Sequence, residues 1–387
     1  MMTDRAYLDN AATTPLDPRV LESMLGHLSG GRGNPSSLHA LGGAAREAIE
    51  GARASVASLL GALPEEIVFT SGGTESDAIA VLGLARSVPP EKRHVVVSCV
   101  EHAAVREDAK LLEKEGFEVT WIGVDPEGLI DPDEFAAALR PDTALAAAIW
   151  ANNEVGTIEP VQELAEACAE RSIPFHADAV QAAGRVPIDT SETPVSTMAL
   201  SGHKLYGPQG VGALYVRNGV APDPVVCGGG QENGLRSGTQ NVAGIVGLGT
   251  AAALALEEMD GRVVHEMTLR DRLLAGVEEI PDVRVNGHRL RRLSNNVHLM
   301  VSGVEAESLV LFLDSLGYAV GSGSACSSGG HRASEVLIAM GMPERDAFSV
   351  VRITVGKDNT AEVVDGFLAA FSVAVAQLRE LSPLYAG

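Results

Sequence analysis

Nowhere in the 387 residues do about 18 strongly apolar residues run together, and the opening Met1-Met-Thr-Asp-Arg-Ala-Tyr-Leu-Asp-Asn10 has no apolar core of signal-peptide length. No membrane span and no export signal is expected, so the chain is read as soluble and cytoplasmic. Cysteine is scarce. Cys99, Cys168, Cys227 and Cys326 stand far apart with no Cys-x-x-Cys pair, which speaks against a disulfide framework or a zinc knuckle and fits a reducing compartment. Basic charge is in short supply: 29 lysines and arginines face 51 acidic residues, giving a net charge of -22. A phosphate backbone or an anionic membrane would be repelled unless a local basic patch outweighed that field. The small cluster Arg289, Arg291 and Arg292 reads only as a solvated loop, so direct nucleic-acid binding is not expected. The familiar nucleotide loops are missing as well. No Gly-x-x-x-x-Gly-Lys-Ser/Thr occurs, and the near match to Gly-x-Gly-x-x-Gly that starts at Gly321 has Cys326 in place of its last glycine.

What is present is a globular composition, 45% hydrophobic without low-complexity tracts, long enough for a large domain with a smaller companion. Asp17-Pro18 caps a helix carrying Val20, Leu21, Met24, Leu25 and Leu28 at helical spacing, and a longer helix runs from about Leu38 to near Gly61. Strands are then predicted at 67–70, 94–98, 117–124, 144–150 and 173–177. Helices lie between them: after Thr74, at about 102–115, from Asp131-Pro132 and after Pro160. Such alternation predicts an α/β fold with a mostly parallel, doubly wound sheet. Two short apolar runs, 195–200 and 211–216, predict a hairpin that closes the sheet with antiparallel strands. Beyond Asn241 an Ala- and Leu-rich helical region is expected to run with breaks to about Glu279. A small α+β domain follows, with a last helix capped by Thr360 and carrying Val364, Phe367, Phe371, Val375 and Leu378 on one face.

The hairpin holds the first candidate for chemistry. In Ser201-Gly-His-Lys-Leu-Tyr-Gly-Pro-Gln-Gly-Val-Gly212, Lys204 is framed by sheet on both sides, and a desolvated lysine makes a Schiff-base nucleophile; the alternative is a surface hairpin with a chance lysine. Ser71-Gly-Gly-Thr-Glu-Ser-Asp77 follows a strand and opens a helix, a place where backbone N–H groups hold a phosphate, unless Thr74 with Asp77 is a plain helix cap. Asp178 closes a strand at the carboxyl edge of the sheet. It suits the pyridinium nitrogen of pyridoxal phosphate with Lys204 as the Schiff-base lysine, against a plain loop cap. His102 and Asn153 reach the same edge, the histidine as a stacking acid/base or as a helix cap. Cys326 lies in Gly321-Ser-Gly-Ser-Ala-Cys-Ser-Ser-Gly-Gly330, too rich in glycine and serine to pack as core, and reads as a nucleophile that travels; the other three cysteines read as inert. Arg352 sits in an apolar strand, where burial demands an anion: a substrate carboxylate, or a structural ion pair.

Taken in order, these stretches resemble the cysteine desulfurases of pyridoxal-phosphate fold type I, in the class-V aminotransferase group. The resemblance runs from Tyr7-Leu-Asp-Asn-Ala-Ala-Thr-Thr-Pro15 to Leu381-Ser-Pro-Leu-Tyr385. Between them stand Gly33-Asn-Pro-Ser36, Ser71-Gly-Gly-Thr-Glu-Ser76, Glu101-His102, Asn152-Asn-Glu-Val-Gly156, His176-Ala-Asp-Ala-Val-Gln181, Ser201-Gly-His-Lys204, Arg236-Ser-Gly-Thr239 and Ser322-Gly-Ser-Ala-Cys326. The last of these resembles the long-loop subgroup with a mobile catalytic cysteine. The resemblance implies a large domain over 16–259 with a seven-stranded sheet, a small domain from 1–15 and 260–387, and a homodimer. It implies pyridoxal 5'-phosphate held with Lys204 as the Schiff-base lysine, Asp178 on the pyridinium and His102 stacked as acid/base. Asn153 and Gln181 contact its phenolic oxygen, while Gly73, Thr74, Ser201 and His203 hold its phosphate, joined by Thr239 of the second subunit. Asn34 and Arg352 take the substrate carboxylate. The implied reaction turns L-cysteine into L-alanine, with the sulfur passing to Cys326 as a persulfide and on to an acceptor protein such as an iron–sulfur scaffold. A selenocysteine lyase or related β-lyase would use the same residues, and an idle scaffold protein is the rival of another class. Asn233 stands where the family usually carries a basic residue. The chain also stops soon after Tyr385, without the tail that some members use to dock a scaffold.

Overall fold

The computed structural model describes residues 5–323, 333–382 and 385. In chain order the elements are β1 (Ala6–Tyr7), α1 (Pro18–Ser29), α2 (Ala40–Leu60), β2 (Ile67–Thr70), α3 (Gly73–Ser87), β3 (His94–Ser98), α4 (Ala103–Lys114), β4 (Glu118–Ile122), α5 (Pro132–Ala138), β5 (Thr143–Ile149), α6 (Val161–Ala169), β6 (Phe175–Asp178), β7 (Thr197–Ser201) and β8 (Gly212–Val216). Next come α7 (Val242–Glu278), β9 (Val283–Asn286), β10 (Asn296–Val301), α8 (Ala306–Ser315), β11 (Tyr318–Ala319), α9 (Glu335–Ala339), α10 (Glu344–Ala347), β12 (Val350–Thr354) and α11 (Ala361–Leu381). The segment around Cys326, expected to be a travelling loop, lies outside the described residues.

Seven strands form one sheet in the order β2-β8-β7-β6-β5-β3-β4, which is the mostly parallel α/β sheet expected from the alternation. Neighbours from β7 through β4 are parallel, and β8 alone runs against both β7 and β2. The hairpin therefore contributes one reversed strand rather than an antiparallel end. β2, arriving from much earlier in the chain, pairs with the far side of β8 and so points the same way as β7. β5, Thr143-Ala-Leu-Ala-Ala-Ala-Ile149, is alanine-rich and in isolation favours helix. All of it is buried at the middle of the sheet, where helices cover both faces and burial overrides propensity. The period of two sorts its side chains: Ala146 and Ala148 face the cluster with α2, α6 and α7, while Leu145 and Ala147 face the one with α3 and α4.

α7 is one unbroken helix of 37 residues where the glycines predict breaks. Those glycines serve packing. A Cβ on Gly247 would sit 2.7 Å from Met24 Sδ, and one on Gly249 would sit 2.5 Å from the Ala52 backbone, so their absence lets α1 and α2 lie close against α7. Leu248, Ala251 and Ala255 of α7 join the sheet's core, while Leu269, Leu273 and Val277 join a second core with Leu8, Phe367 and Phe371. That second core lies under the antiparallel sheet β9-β10-β12 and the parallel pair β1-β11. α7 and α11 have the length and apolar composition of membrane spans, yet α7 presses its apolar residues into both of these cores and α11 into the second. β3, β5, β6 and β7 all end at the same carboxyl edge, which is where open parallel sheets bind ligands.

The two kinds of glycine in α7 should respond oppositely to a methyl group. Gly249→Ala forces α2 away and is expected to cost about 1–3 kcal/mol, less the ~1 kcal/mol that alanine gains in helix propensity. At Gly261 an added Cβ would meet nothing within 4 Å, and Gly261→Ala should stabilise by roughly 0.5–1 kcal/mol. Urea midpoints of the two variants check the sign of each.

Candidate active site

At that edge a cavity of 260 Å³ is enclosed by the turns that follow the strands and by the stretch after β1. Lys204 ends a single 3-10 turn, Gly202–Lys204, that β7 runs straight into. Gly202 fixes the turn, accepting from the N–H groups of Leu205 and Gly207 at 2.9 Å each. The Lys204 ammonium donates to the carbonyls of Ala11 and Ala12, the latter at 2.7 Å. Thr14 locks this stretch to the turn: its N–H donates to His203 O at 2.9 Å and its Oγ1 accepts from the Tyr206 N–H at 2.8 Å. Lys204 is thus a cavity lysine, and the surface-hairpin reading does not hold.

α3 begins at Gly73 with Gly72 at its N-cap position, and no side chain caps it. The plain-cap reading of Thr74 and Asp77 therefore fails. Glu75 instead takes up the Ser71 N–H at 2.5 Å and pairs with Arg236 Nε at 2.8 Å. A Cβ on Gly73 would lie 2.7 Å from Val180 Cγ2, so only glycine lets the helix start this close to the turn after β6. Its first N–H groups, with Ser201 and His203, form one rim of the cavity, an anion site by geometry and by the helix dipole. His203 Nδ1 lies 3.1 Å from Thr13 Oγ1, and burial with the neighbouring Lys204 charge pushes the imidazole down to about 4, so it is neutral.

The opposite wall carries Asp178, 3% exposed, with Oδ1 accepting from the Val180 N–H at 2.9 Å. It is a loop cap and a cavity acid at once. Burial raises its pKa, opposed by the charges of His102 and Lys204, so a cation beside it is what would make it a stable carboxylate. His102 Nδ1 accepts from the Ala104 N–H at 3.2 Å as the N-cap of α4, the helix-cap reading, and its ring also lines the cavity. Gln181 Nε2 donates to Ala11 O at 2.9 Å, and Asn153 Oδ1 is buried with no hydrogen-bond partner among the described residues. Arg352, 2% exposed on β12, closes the cavity. Its Nη2 meets Asp9 Oδ1 at 3.0 Å and its Nη1 donates to Asn153 O at 2.8 Å, while Nε has no hydrogen-bond partner among the described residues. The structural ion pair and the place in the cavity coexist.

Two expected residues are not brought in. Asn34 is exposed with Oδ1 accepting from the Ser36 N–H at 2.9 Å, and Thr239 is exposed; neither lines this cavity. Cys326 is outside the described residues. Sequence reasoning missed Asp77 as a cavity acid. It is 1% exposed, with Oδ1 3.1 Å from His176 Nε2, and a signal for it existed: four residues after Gly73, it falls on the same helix face. It also missed Asp9 and the carbonyls of Ala11 and Ala12. Glu101, whose partners are Ser98 Oγ and the Ile149 N–H, is pushed up to about 8 by burial.

An amine, a buried acid wanting a cation, a helix N-terminus ready for a phosphate, a flat imidazole and an unpartnered amide oxygen together fit pyridoxal 5'-phosphate. Residues 6–367 match the family model described as Aminotransferase class-V. The chain is 46% identical to a cysteine desulfurase IscS of Dictyoglomus turgidum over 383 residues, 99% of this chain and 97% of that one. A solved NifS-like protein superposes with a TM-score of 0.91 at 36% identity, covering 96% of this chain and 100% of its own. A second solved structure, SspA in complex with cysteine, gives 0.80 at 35% identity, covering 92% and 99%. Motifs, cavity and likeness extend over nearly the whole length, and the chain belongs to the class-V aminotransferase family, in its cysteine desulfurase branch.

Proposed function

We propose that this chain is a pyridoxal 5'-phosphate-dependent cysteine desulfurase that converts L-cysteine to L-alanine and takes the sulfur as a persulfide on Cys326. The observation that carries the reading is the meeting of Lys204, Asp178, His102 and Arg352 in one cavity. When bound, the cofactor draws electrons from the substrate's α carbon, which no side chain does. Asp178 would hold the proton of the ring nitrogen, and the start of α3 with Ser201 and His203 would hold the phosphate. Asn153 and Gln181 would meet the phenolic oxygen. Lys204 moves the α proton, its amine kept at the wall by the Ala11 and Ala12 carbonyls. Arg352 binds the substrate carboxylate through the edge that Asp9 leaves open, and His102 moves a proton at Nε2.

Sulfur transfer is a displacement at the substrate sulfur. The Cys326 thiolate forms the S–S bond as the substrate's carbon–sulfur bond breaks, the electron pair stays with carbon, and protonation there gives alanine. Reach supports this role. Gly321 is bridged to Arg352 by two backbone hydrogen bonds, and the chain from residue 321 to residue 326 extends at most roughly 17 Å. Thr239, exposed and outside its own cavity, is available to the phosphate end of a second copy, which favours a homodimer. The persulfide then passes to an acceptor protein in the cytoplasm, such as an iron–sulfur scaffold.

Lys204→Ala should lose both the cofactor's visible absorption band and alanine formation; alanine at the wild-type rate would overturn the assignment. Cys326→Ser should keep cofactor binding and the spectral response to L-cysteine while losing persulfide and alanine, because a hydroxyl supplies no anion at neutral pH. Undiminished alanine with free sulfide would instead mark a β-lyase. Light scattering of active protein should give a dimer, and Thr239→Val should weaken cofactor retention without dissociating it. An active monomer contradicts the placement of Thr239.

A further inference from the structure

Asp77 lines the cavity, and the reaction above does not use it. Its carboxylate, that of Asp178 and a ring nitrogen of His102 lie within 4.8 Å of one another. Two buried carboxyls at that separation do not both ionise. The groups around the pair are Asp178 and His176 from β6, Glu101 and His102 from the turn before α4, Asp108 from α4, and Lys204 from the turn after β7. Their charges divide unevenly. His102, Lys204 and the Val180 N–H all favour an ionised Asp178. Around Asp77, burial is joined by the like charges of Asp178, Glu101 and Asp108, and all of them favour the acid form. Its hydrogen-bond partner brings no cation, because burial pushes His176 down to about 3. His176 Nδ1 lies 3.0 Å from Thr197 Oγ1, which can accept the ring proton and so let Nε2 accept from Asp77.

We propose that Asp77 is a buried carboxylic acid that keeps its proton, donates it in a hydrogen bond to His176 Nε2, and so leaves Asp178 the single anion that meets the cofactor's ring nitrogen. Asp77 is then a positioning residue that leaves the Asp77–Asp178 pair with one negative charge, matched to one ring cation. The consequence for the ring rests on the cofactor site proposed above; the proton on Asp77 does not.

Full-length holoenzyme with carbon-13-labelled aspartate carboxyls tests the proton directly. At about pH 9 the infrared spectrum should keep a protonated-carboxyl band, since Asp108, pushed up to about 7, is ionised there. A wild-type spectrum without that band overturns the proposal, and this measurement needs no variant to fold. Asp77→Asn should abolish the band; its persistence would give the proton to Asp178 and equally overturn the proposal. The pH midpoint of the cofactor's visible band supplies a second readout. Asp77→Asn exchanges one uncharged donor for another and should move the midpoint by less than about 0.5 unit. Removing a true anion within 4.8 Å of Asp178 would move it by about two units, and a shift of that size refutes the neutral acid. Asp178→Asn separates the two readings. It should weaken cofactor binding about 100-fold, and failure there would mean that the cofactor site, and not the proton on Asp77, is misassigned.

Discussion

The ammonium of Lys204 is held by the carbonyls of Ala11 and Ala12, and through that contact the chain's first turns are tied to a hairpin far along the sequence. The rest of the site depends on it. The same short stretch supplies Asp9 to Arg352, the Ala11 carbonyl to Gln181, Thr13 to His203, and Thr14 to the backbone of the Lys204 turn. It has no regular structure of its own beyond β1, so its backbone carbonyls are available to side chains rather than spent in a ladder. A polar seam of this kind gives the lysine a fixed place in the cavity wall.

Charge explains the other wall. Three acids, Asp77, Glu101 and Asp178, are buried along the carboxyl edge, and burial raises the pKa of each. Water would dissipate that strain at the surface, but within the cavity it creates a demand for a cation, the kind of charge a pyridinium nitrogen would bring. The negative potential is local and built from named groups. It is not a consequence of the chain's net charge of -22, which is carried largely by solvated side chains.

Much of this was legible from residue order. Lys204 and Asp178 could be placed because short apolar runs bounded by glycine and proline mark strand ends, and strand ends of a parallel sheet share an edge. Asp77 could not be read so directly, because a polar residue near a helix start is usually a cap or a solvated charge, and only the packing of α3 on the sheet turns it inward. The unbroken course of α7 was hidden for a related reason: glycine costs helix propensity in isolation, and the gain appears only when Met24 and Ala52 are seen to occupy the vacated space. The ion pair of Arg352 with Asp9 joins residues 343 apart, a separation at which no periodicity points from one to the other.

The length of α7 has a mechanical meaning. Its first half is part of the sheet's core and its second half part of the core under β9, β10 and β12, so a single rod of about 55 Å serves as a beam through both. A beam shared by two bodies resists shear between them, and the crevice over which Arg352 stands cannot be pried open at that joint without bending a packed helix.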